Sequence, residues 1–216
     1  MTGFDTNPKC AKWYPYEFRC ADMTTLTPEY LKANFDFVHV APPCQRWSKM
    51  SQCRPGLAET YPDLITPMRP VLRASGLPYV IENVEGSPLL DPVWLCAWSF
   101  GKQLYRHRGF ETGNGLAVPP MRHVPHTMPA SRAGHWEPGT VMSLAGHYSP
   151  TGMALGLMGM SRFVPREYVK EAAPAYFTNY IAVHALACLG REAALWPTRS
   201  PTGRRRCRRP SPEAAA

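Results

Sequence analysis

The sequence lacks the features that mark several protein classes. It has no run of about 18 apolar residues, so a transmembrane helix is not expected, and residues 1–12 lack the apolar stretch of a secretory signal. The seven cysteines are odd in number, scattered, and include no Cys-x-x-Cys pair. Neither a disulfide framework nor a structural zinc site is therefore predicted, and a reducing cytoplasmic location fits best.

The composition indicates one folded domain with a basic end. Hydrophobic residues make up 44% of the 216, enough for the core of an α/β domain and incompatible with global disorder. The net charge is +8, and residues 197–216 contain six arginines against one acidic residue, Glu213. That segment is expected to be disordered and able to contact phosphates, although a solvated tail without a partner explains it equally well.

Two predicted strands are each followed by a reactive side chain. Residues 35–40 form an apolar, β-branched run that ends at Pro42-Pro43, and residues 79–84 form a second such run. A helical pattern interrupted by prolines separates them, which favours parallel pairing. The carboxyl ends of parallel strands share one edge of a sheet, where ligands bind. Cys44 and Glu82 are therefore expected to meet at that edge.

Weaker patterns predict the remaining elements. Thr27 and Pro28 are typical of the N-cap and first position of a helix, which we expect to end at Asn34. No regular structure is predicted over 112–138. The other expected elements are strands near 3–5, 16–20, 103–110 and 140–145, and helices over 57–74, 165–172 and 176–188.

Three motifs in order resemble the signatures of the DNA cytosine-5 methyltransferase family. They are Ala41-Pro42-Pro43-Cys44-Gln45-Arg46-Trp47-Ser48, Ile81-Glu82-Asn83-Val84 and Arg106-His107-Arg108. The segment from Met160 to Tyr180, with Arg166-Glu167 and Pro174-Ala175-Tyr176-Phe177, looks like the closing segment of the family. The resemblance covers about residues 2–186, and its compact form is similar to small phage and bacterial members that include restriction-modification enzymes.

The resemblance implies a role for each of four catalytic residues. Cys44 would add as a thiolate to carbon 6 of cytosine, which makes carbon 5 nucleophilic enough to accept a methyl group. Glu82 would contact N3 and the Watson–Crick edge of a flipped base. Arg106 and Arg108 would hold the base carbonyl and the adjacent backbone, and a nearby cation would favour the thiolate.

The resemblance also implies binding residues, a cofactor and a partner. Gln45, Ser48 and Asn83 are expected to contact the substrate, double-stranded DNA with a flipped cytosine. The cofactor would be S-adenosylmethionine. Asp5 resembles the acid that binds its ribose hydroxyls, Asp22 resembles the acid that contacts the adenine amino group, and Pro43 and Asn179 match positions that line the same pocket. No membrane partner is expected.

The sequence departs from the family at its amino-terminal end. Family members begin with a strand and a Gly-rich turn that holds the methionine end of the cofactor, and no such element precedes Gly3. The start could be an internal Met, a separate chain could supply the missing part, or the chain could be a decayed remnant. If the chain is complete, weak cofactor binding and an exposed sheet edge are expected.

These inferences predict an α/β protein with a Rossmann-like methyltransferase sheet, mostly parallel and truncated at its amino-terminal end. Four segments are expected. Residues 1–110 form the catalytic core, 111–157 a short, loop-rich target-recognition region, 158–196 a helical segment that returns to the core, and 197–216 the basic tail.

Other interpretations of the same residues stay open. The chain could be a non-catalytic remnant or subunit that binds DNA, a tRNA cytosine-5 methyltransferase, or a cysteine hydrolase that pairs Cys44 with a histidine. Cys44 could also be a small buried apolar side chain, and Arg106 and Arg108 an exposed strand face. The irregular spacing of His107, His123, His126, His135 and His147 favours surface residues, and no metal site is predicted.

Overall fold

The computed structural model describes residues 1–131, 136–144, 151–160 and 164–191. Its strands are β1 (Thr2–Asp5), β2 (Glu17–Cys20), β3 (Val38–Val40), β4 (Tyr79–Asn83), β5 (Val93–Cys96), β6 (Leu104–Tyr105), β7 (His107–Gly113) and β8 (Met142–Ser143). Its α-helices are α1 (Pro28–Asn34), α2 (Lys49–Gln52), α3 (Ile65–Ser75), α4 (Thr151–Leu157), α5 (Arg166–Val169) and α6 (Ala175–Cys188). None of these helices combines the length and the apolar character that a membrane span requires.

The strands form a four-stranded sheet and two two-stranded sheets. The larger sheet has the order β3-β4-β7-β5, in which β3 and β4 are parallel and β7 runs antiparallel to both β4 and β5. The smaller sheets pair β1 with β2 and β6 with β8, both in parallel. Among the described residues, three of the five strand pairings are therefore parallel, and the expected mixed α/β class is confirmed.

The central strand β4 is buried along its whole length and separates two cores. Tyr79 and Ile81 on one face pack in a cluster with Leu31 of α1 and with Ile65 of α3. Val80, on the opposite face, belongs to a larger cluster that includes buried residues of β5, β7, α4 and α6. A strand with helices on both faces has no solvent-facing side, which explains why its sequence is a continuous apolar run.

Local sequence explains where the helices begin and end. The Thr27 side chain accepts a hydrogen bond from Tyr30 N at 3.2 Å, and Pro28 occupies the first turn of α1, as predicted. Helix α3 contains Pro70 and ends at Gly76, whose φ of +70° is accessible to glycine at little cost. The predicted helix over 57–74 is therefore shorter than expected, since α3 starts only at Ile65.

Other expectations need correction. The strand β5 was not predicted, because its four residues, Val-Trp-Leu-Cys, show no clear alternation. Strand β7 continues through Phe110 to Gly113 and so crosses the expected boundary between 110 and 111. Within 111–157, helix α4 was not predicted, whereas β8 lies inside the strand expected near 140–145. His135, His147 and the tail 197–216 lie outside the described residues.

Candidate active site at the ends of two parallel strands

The loop that follows β3 carries Cys44 to the edge of the sheet. Pro42 and Pro43 end the strand because proline lacks the N–H that a ladder requires. Cys44 is half-buried, and its carbonyl accepts a hydrogen bond from Trp47 N at 3.0 Å that closes a single helical turn. Ser48 then caps α2 by accepting a hydrogen bond from Ser51 N. The thiol is thus held by a compact turn between a strand and a helix.

The end of β4 is joined directly to that loop. Because Val40 pairs with Ile81, the loop that follows β3 begins beside Glu82 and Asn83, the last two residues of β4. The Asn83 side chain is buried, donates a hydrogen bond from Nδ2 to the Pro42 carbonyl at 3.0 Å, and accepts one from Val84 N. This amide fixes the position of the Cys44 loop relative to Glu82.

Glu82 forms a buried ion pair with Arg108 of β7. Its Oε1 lies 2.6 Å from Arg108 Nε, and the two side chains are only 6% and 8% exposed. Burial raises the pKa of Glu82, whereas Arg108 and Arg106 pull it down. Burial thus favours the neutral carboxyl group, and the two buried cations favour the carboxylate.

Arg106 is the second buried cation of the site. Burial and the nearby charge of Arg108 lower the pKa of Arg106 to about 9, while Glu82 and Cys44 act in the opposite direction. Its Nη2 donates a hydrogen bond to the Lys170 carbonyl at 2.8 Å and another to the Ala172 carbonyl. Arg106 therefore also ties the segment after α5 to the sheet, a role that sequence did not predict.

The structure brings the four predicted catalytic residues together and leaves one buried acceptor beside them. Cys44 and Glu82 both act electrostatically on Arg106, and Glu82 contacts Arg108. The side-chain oxygen of Gln45 is buried and makes no hydrogen bond in the described part of the chain. Among the three residues predicted to bind substrate, Asn83 and Ser48 are already engaged with the backbone, and Gln45 retains an unused polar atom.

The four residues predicted to bind the cofactor lie in different parts of the fold, at β1, after β2, after β3 and in α6. Asp5 ends β1, pairs with Cys20 of β2, and accepts a hydrogen bond from Asn7 N at 2.7 Å. Asp22, two residues beyond β2, caps a turn by accepting hydrogen bonds from the backbone and hydroxyl of Thr24. Both carboxylates are exposed and follow adjacent parallel strands, which suits acceptors for ribose hydroxyls or an amino group. Pro43 and Asn179 are also exposed.

Sequence reasoning missed two groupings of side chains. Arg69 of α3 and Glu111 of β7 form a largely buried bidentate pair, with N–O distances of 2.7 and 2.9 Å. Three of the histidines, the exposed His123 and the half-buried His107 and His126, converge on the end of β5. The only sequence signal for that convergence is the three-residue spacing of His123 and His126, because the other members come from separate strands.

Comparisons with known proteins give a distant structural likeness. Neither a protein-family model nor a curated protein sequence matches this chain. A solved structure of a triple mutant of DNMT2 from Spodoptera frugiperda aligns with 21% identity and a TM-score of 0.39. The alignment covers 56% of this chain and 45% of that protein, so this chain spans less than half the length of that structure. A likeness at this level is too low to assign an activity.

Proposed function

We propose that this chain is a cytosine-5 methyltransferase that acts on a flipped cytosine in DNA. The observation that carries the proposal is the buried Glu82–Arg108 pair at the end of β4, beside the loop that holds Cys44. A buried ion pair adds little net stability compared with apolar residues, and strongly perturbed titratable groups cluster at functional sites. A nucleophilic side chain, an acid and two cations at one sheet edge match the needs of addition to a pyrimidine ring.

Cys44 is the proposed nucleophile. Its thiolate would add to carbon 6 of the base, which converts the ring into an enamine with a nucleophilic carbon 5. The positive charge of Arg106 lies within electrostatic range of Cys44. Carbon 5 would take the methyl group from the cofactor and then give its proton to water, after which the Cys44 sulfur leaves carbon 6 as a thiolate and the ring regains its double bond.

Glu82 is the proposed contact for N3 of the same base. Addition of the thiolate places electron density on the ring, and a hydrogen bond or proton at N3 stabilises it. The raised pKa of Glu82 makes a protonated carboxyl available for that contact. Arg108 holds the Glu82 carboxyl group in position through their ion pair. We propose that Arg108 also contacts the carbonyl of the base.

The cofactor proposed for this reaction is S-adenosylmethionine, which supplies an electrophilic methyl group on sulfur. Asp5 and Asp22 provide acceptors at adjacent strand ends, which fits the ribose and adenine of this molecule. Pro43 and Asn179 are proposed to line the same pocket. No Gly-rich turn that could hold the methionine end of the cofactor occurs among residues 1–216.

A cysteine hydrolase is less consistent with the site. Such an enzyme requires a histidine hydrogen-bonded to the nucleophile. Within the described part of the chain, the histidine side chains that hydrogen-bond to a partner do so with Cys96 and with each other, and none is joined to Cys44. The cations beside Cys44 are arginines, which do not act as general bases at neutral pH.

A methyl-transfer assay tests the proposal. The full chain is incubated with S-adenosylmethionine that carries a tritiated methyl group, in parallel with duplex DNA of mixed sequence and with tRNA. We expect incorporation into DNA, and expect Cys44→Ser to reduce it by at least about a thousandfold, since loss of a nucleophile removes the covalent route. Cys53→Ser, at an exposed cysteine, is the matched control and should retain activity.

Three results would revise the proposal. Incorporation into tRNA but not DNA would keep the chemistry and change the substrate. Equal activity of the Cys44→Ser and parent chains would exclude Cys44 as nucleophile. DNA binding without any incorporation, also after addition of a chain that carries a Gly-rich strand and turn, would identify the protein as a non-catalytic DNA-binding subunit.

A further inference from the structure

A cluster of four potential metal ligands lies at the junction of β5, β7 and the loop that follows β7. Its members are Cys96, His107, His123 and His126, called here the Cys-His cluster. One ligand atom from each residue lies within 4.8 Å of every other. None of the four belongs to the site built around Glu82, and the proposed methyl transfer gives them no role.

Two members of the cluster are fixed by the sheet. Cys96 is the last residue of β5, His107 is the first of β7, and the two are directly paired across this antiparallel ladder. Cys96 is 3% exposed, so its thiol lies inside the protein and not on the surface. Directly opposed residues on antiparallel strands hold their side chains close together, which preorganises two ligands.

The other two members come from a loop that is anchored on both sides. His123 and His126 are three residues apart, and the chain between them brings both rings to the end of β5. Before the two histidines, the carbonyl of Arg122 accepts a hydrogen bond from Ser99 Oγ at 2.9 Å, and after them the carbonyl of Pro129 accepts one from Val141 N at 2.9 Å. The loop is therefore held against the sheet near the cluster.

Distances within the cluster approach those of a tetrahedral zinc site. His107 Nε2 and His123 Nε2 are 3.2 Å apart, and Cys96 Sγ and His126 Nε2 are 3.1 Å apart. Zinc bonds to nitrogen and sulfur place the ligand atoms of a tetrahedron about 3.3 to 3.7 Å from one another. For one ion to bind all four atoms, the two close pairs would have to separate slightly, and the atoms that are farther apart, by up to 4.8 Å, would have to approach.

Two aromatic rings pack against the histidines of the cluster. Trp98 stacks on His126 with ring centroids 5.1 Å apart, and Tyr105 meets the rings of His107 and His126 edge-on. Apolar groups beside a metal site influence its solvent access and local dielectric on the side that they cover. Two hydrogen bonds alone would satisfy the four atoms only in pairs, and would not explain why all four converge on one point.

We propose that the Cys-His cluster binds one divalent transition-metal ion of borderline softness, with Zn²⁺ as the expected occupant. One thiolate and three imidazoles complete a tetrahedron without an open position, which is typical of a structural site. On binding, the Cys96 thiol transfers its proton to solvent and the sulfur forms the bond to zinc. The ion would join the loop with His123 and His126 to the strands that border Arg106 and Arg108.

Metal content and a cobalt spectrum test this proposal on the full chain. The protein is purified from cells grown with added zinc. After gel filtration, its zinc content is measured by elemental mass spectrometry. The expected stoichiometry is one ion per chain. After exchange with Co²⁺, a tetrahedral site with one thiolate gives intense visible bands and a sulfur-to-cobalt charge-transfer band.

Variants assign the ion to these residues. Cys96→Ser should abolish the charge-transfer band, and His123→Ala should weaken zinc affinity at least about tenfold in competition with a chromogenic chelator. His123 is exposed, so its removal leaves the core intact even if Cys96→Ser fails to fold. Cys53→Ser and His184→Gln, outside the cluster, are the matched controls and should bind one ion with unchanged affinity.

Two outcomes overturn the proposal. A parent chain that carries no zinc and takes up no Co²⁺ would show a cluster held by hydrogen bonds alone. A His123→Ala chain that binds zinc as tightly as the parent chain would place the ion elsewhere. Neither outcome depends on methyl transfer, so failure of this proposal is distinguishable from failure of the proposed function.

Discussion

The carboxyl group of Glu82 lies where water scarcely reaches it. Its 2.6 Å contact with Arg108 and the nearby charge of Arg106 offset the cost of its burial. A buried ion pair adds little net stability compared with apolar residues of the same volume, but the loss of one partner leaves an uncompensated charge. The pair is therefore sensitive to single substitutions and tolerant of their combination.

Removal of Arg108 alone should be costly. Arg108→Met leaves Glu82 without its closest cation, and we expect a loss of about 3 to 5 kcal/mol in the free energy of unfolding measured in urea. Combining Arg108→Met with Glu82→Gln should recover a large part of that loss. Glu17→Gln breaks the exposed pair with Arg19 and serves as the control, with an effect of about 1 kcal/mol or less. Additive effects of the two substitutions at Glu82 and Arg108 would contradict the pairing.

A glycine in β7 makes room for a large buried ring of the neighbouring strand β4. These strands are antiparallel, and Tyr79 pairs with Gly113. A Cβ at Gly113 would overlap the ring of Tyr79, which is 1% exposed and cannot move aside. Glycine at the end of β7 therefore creates the space for a large buried ring, a role that depends on the neighbouring strand.

Alanine substitutions at two glycines should change the free energy of unfolding in opposite directions. Gly113→Ala forces Tyr79 out of its place, and we expect a loss of about 1 to 3 kcal/mol in the free energy of unfolding. Gly156→Ala, in α4 with open space around the glycine, should stabilise by about 0.5 to 1 kcal/mol. Thermal and urea unfolding of both variants measure this difference. A neutral Gly113→Ala chain would mean that Tyr79 is not confined.

Elements with strong local sequence signals were predicted well. Other elements depend on pairing with a neighbouring strand, which the sequence alone does not show. Thr27 and Pro28 specify the start of α1, and the apolar run of β4 indicated a buried parallel strand, which the pairing with β3 confirms. The strand β5 exists because β7 pairs with it, and its own residues carry no alternation. The start of α3 was placed too early because the prolines before it obscure the helical period.

The candidate active site was predictable for a different reason. Cys44 and Glu82 each follow a strand, and topology alone brings the ends of parallel strands to one edge. The partners of these residues could not be predicted in the same way. The bonds from Arg106 to the Lys170 and Ala172 carbonyls, and the Cys-His cluster, join segments whose approach depends on the packing of the whole chain.

At the scale of the whole molecule, charge is concentrated in one segment of the sequence. Residues 197–216 carry six arginines, and their replacement by glutamine removes six of the eight excess positive charges. We expect weaker binding to a short DNA duplex and a smaller dependence of the binding constant on salt, because fewer counterions are released. Fluorescence anisotropy over a range of salt concentrations measures both. An unchanged salt dependence would show that the tail does not contact phosphate.

The central claim, that Cys44 and Glu82 act on one pyrimidine, is tested most directly by covalent capture. The chain is incubated with S-adenosylmethionine and duplex DNA that contains 5-fluorocytosine, from which the carbon 5 substituent cannot leave. Mass spectrometry of the digested complex should locate the adduct at Cys44, and Glu82→Gln should slow its formation while Cys53→Ser does not. A parent chain that forms no adduct, or an adduct that persists in Cys44→Ser, would contradict the claim.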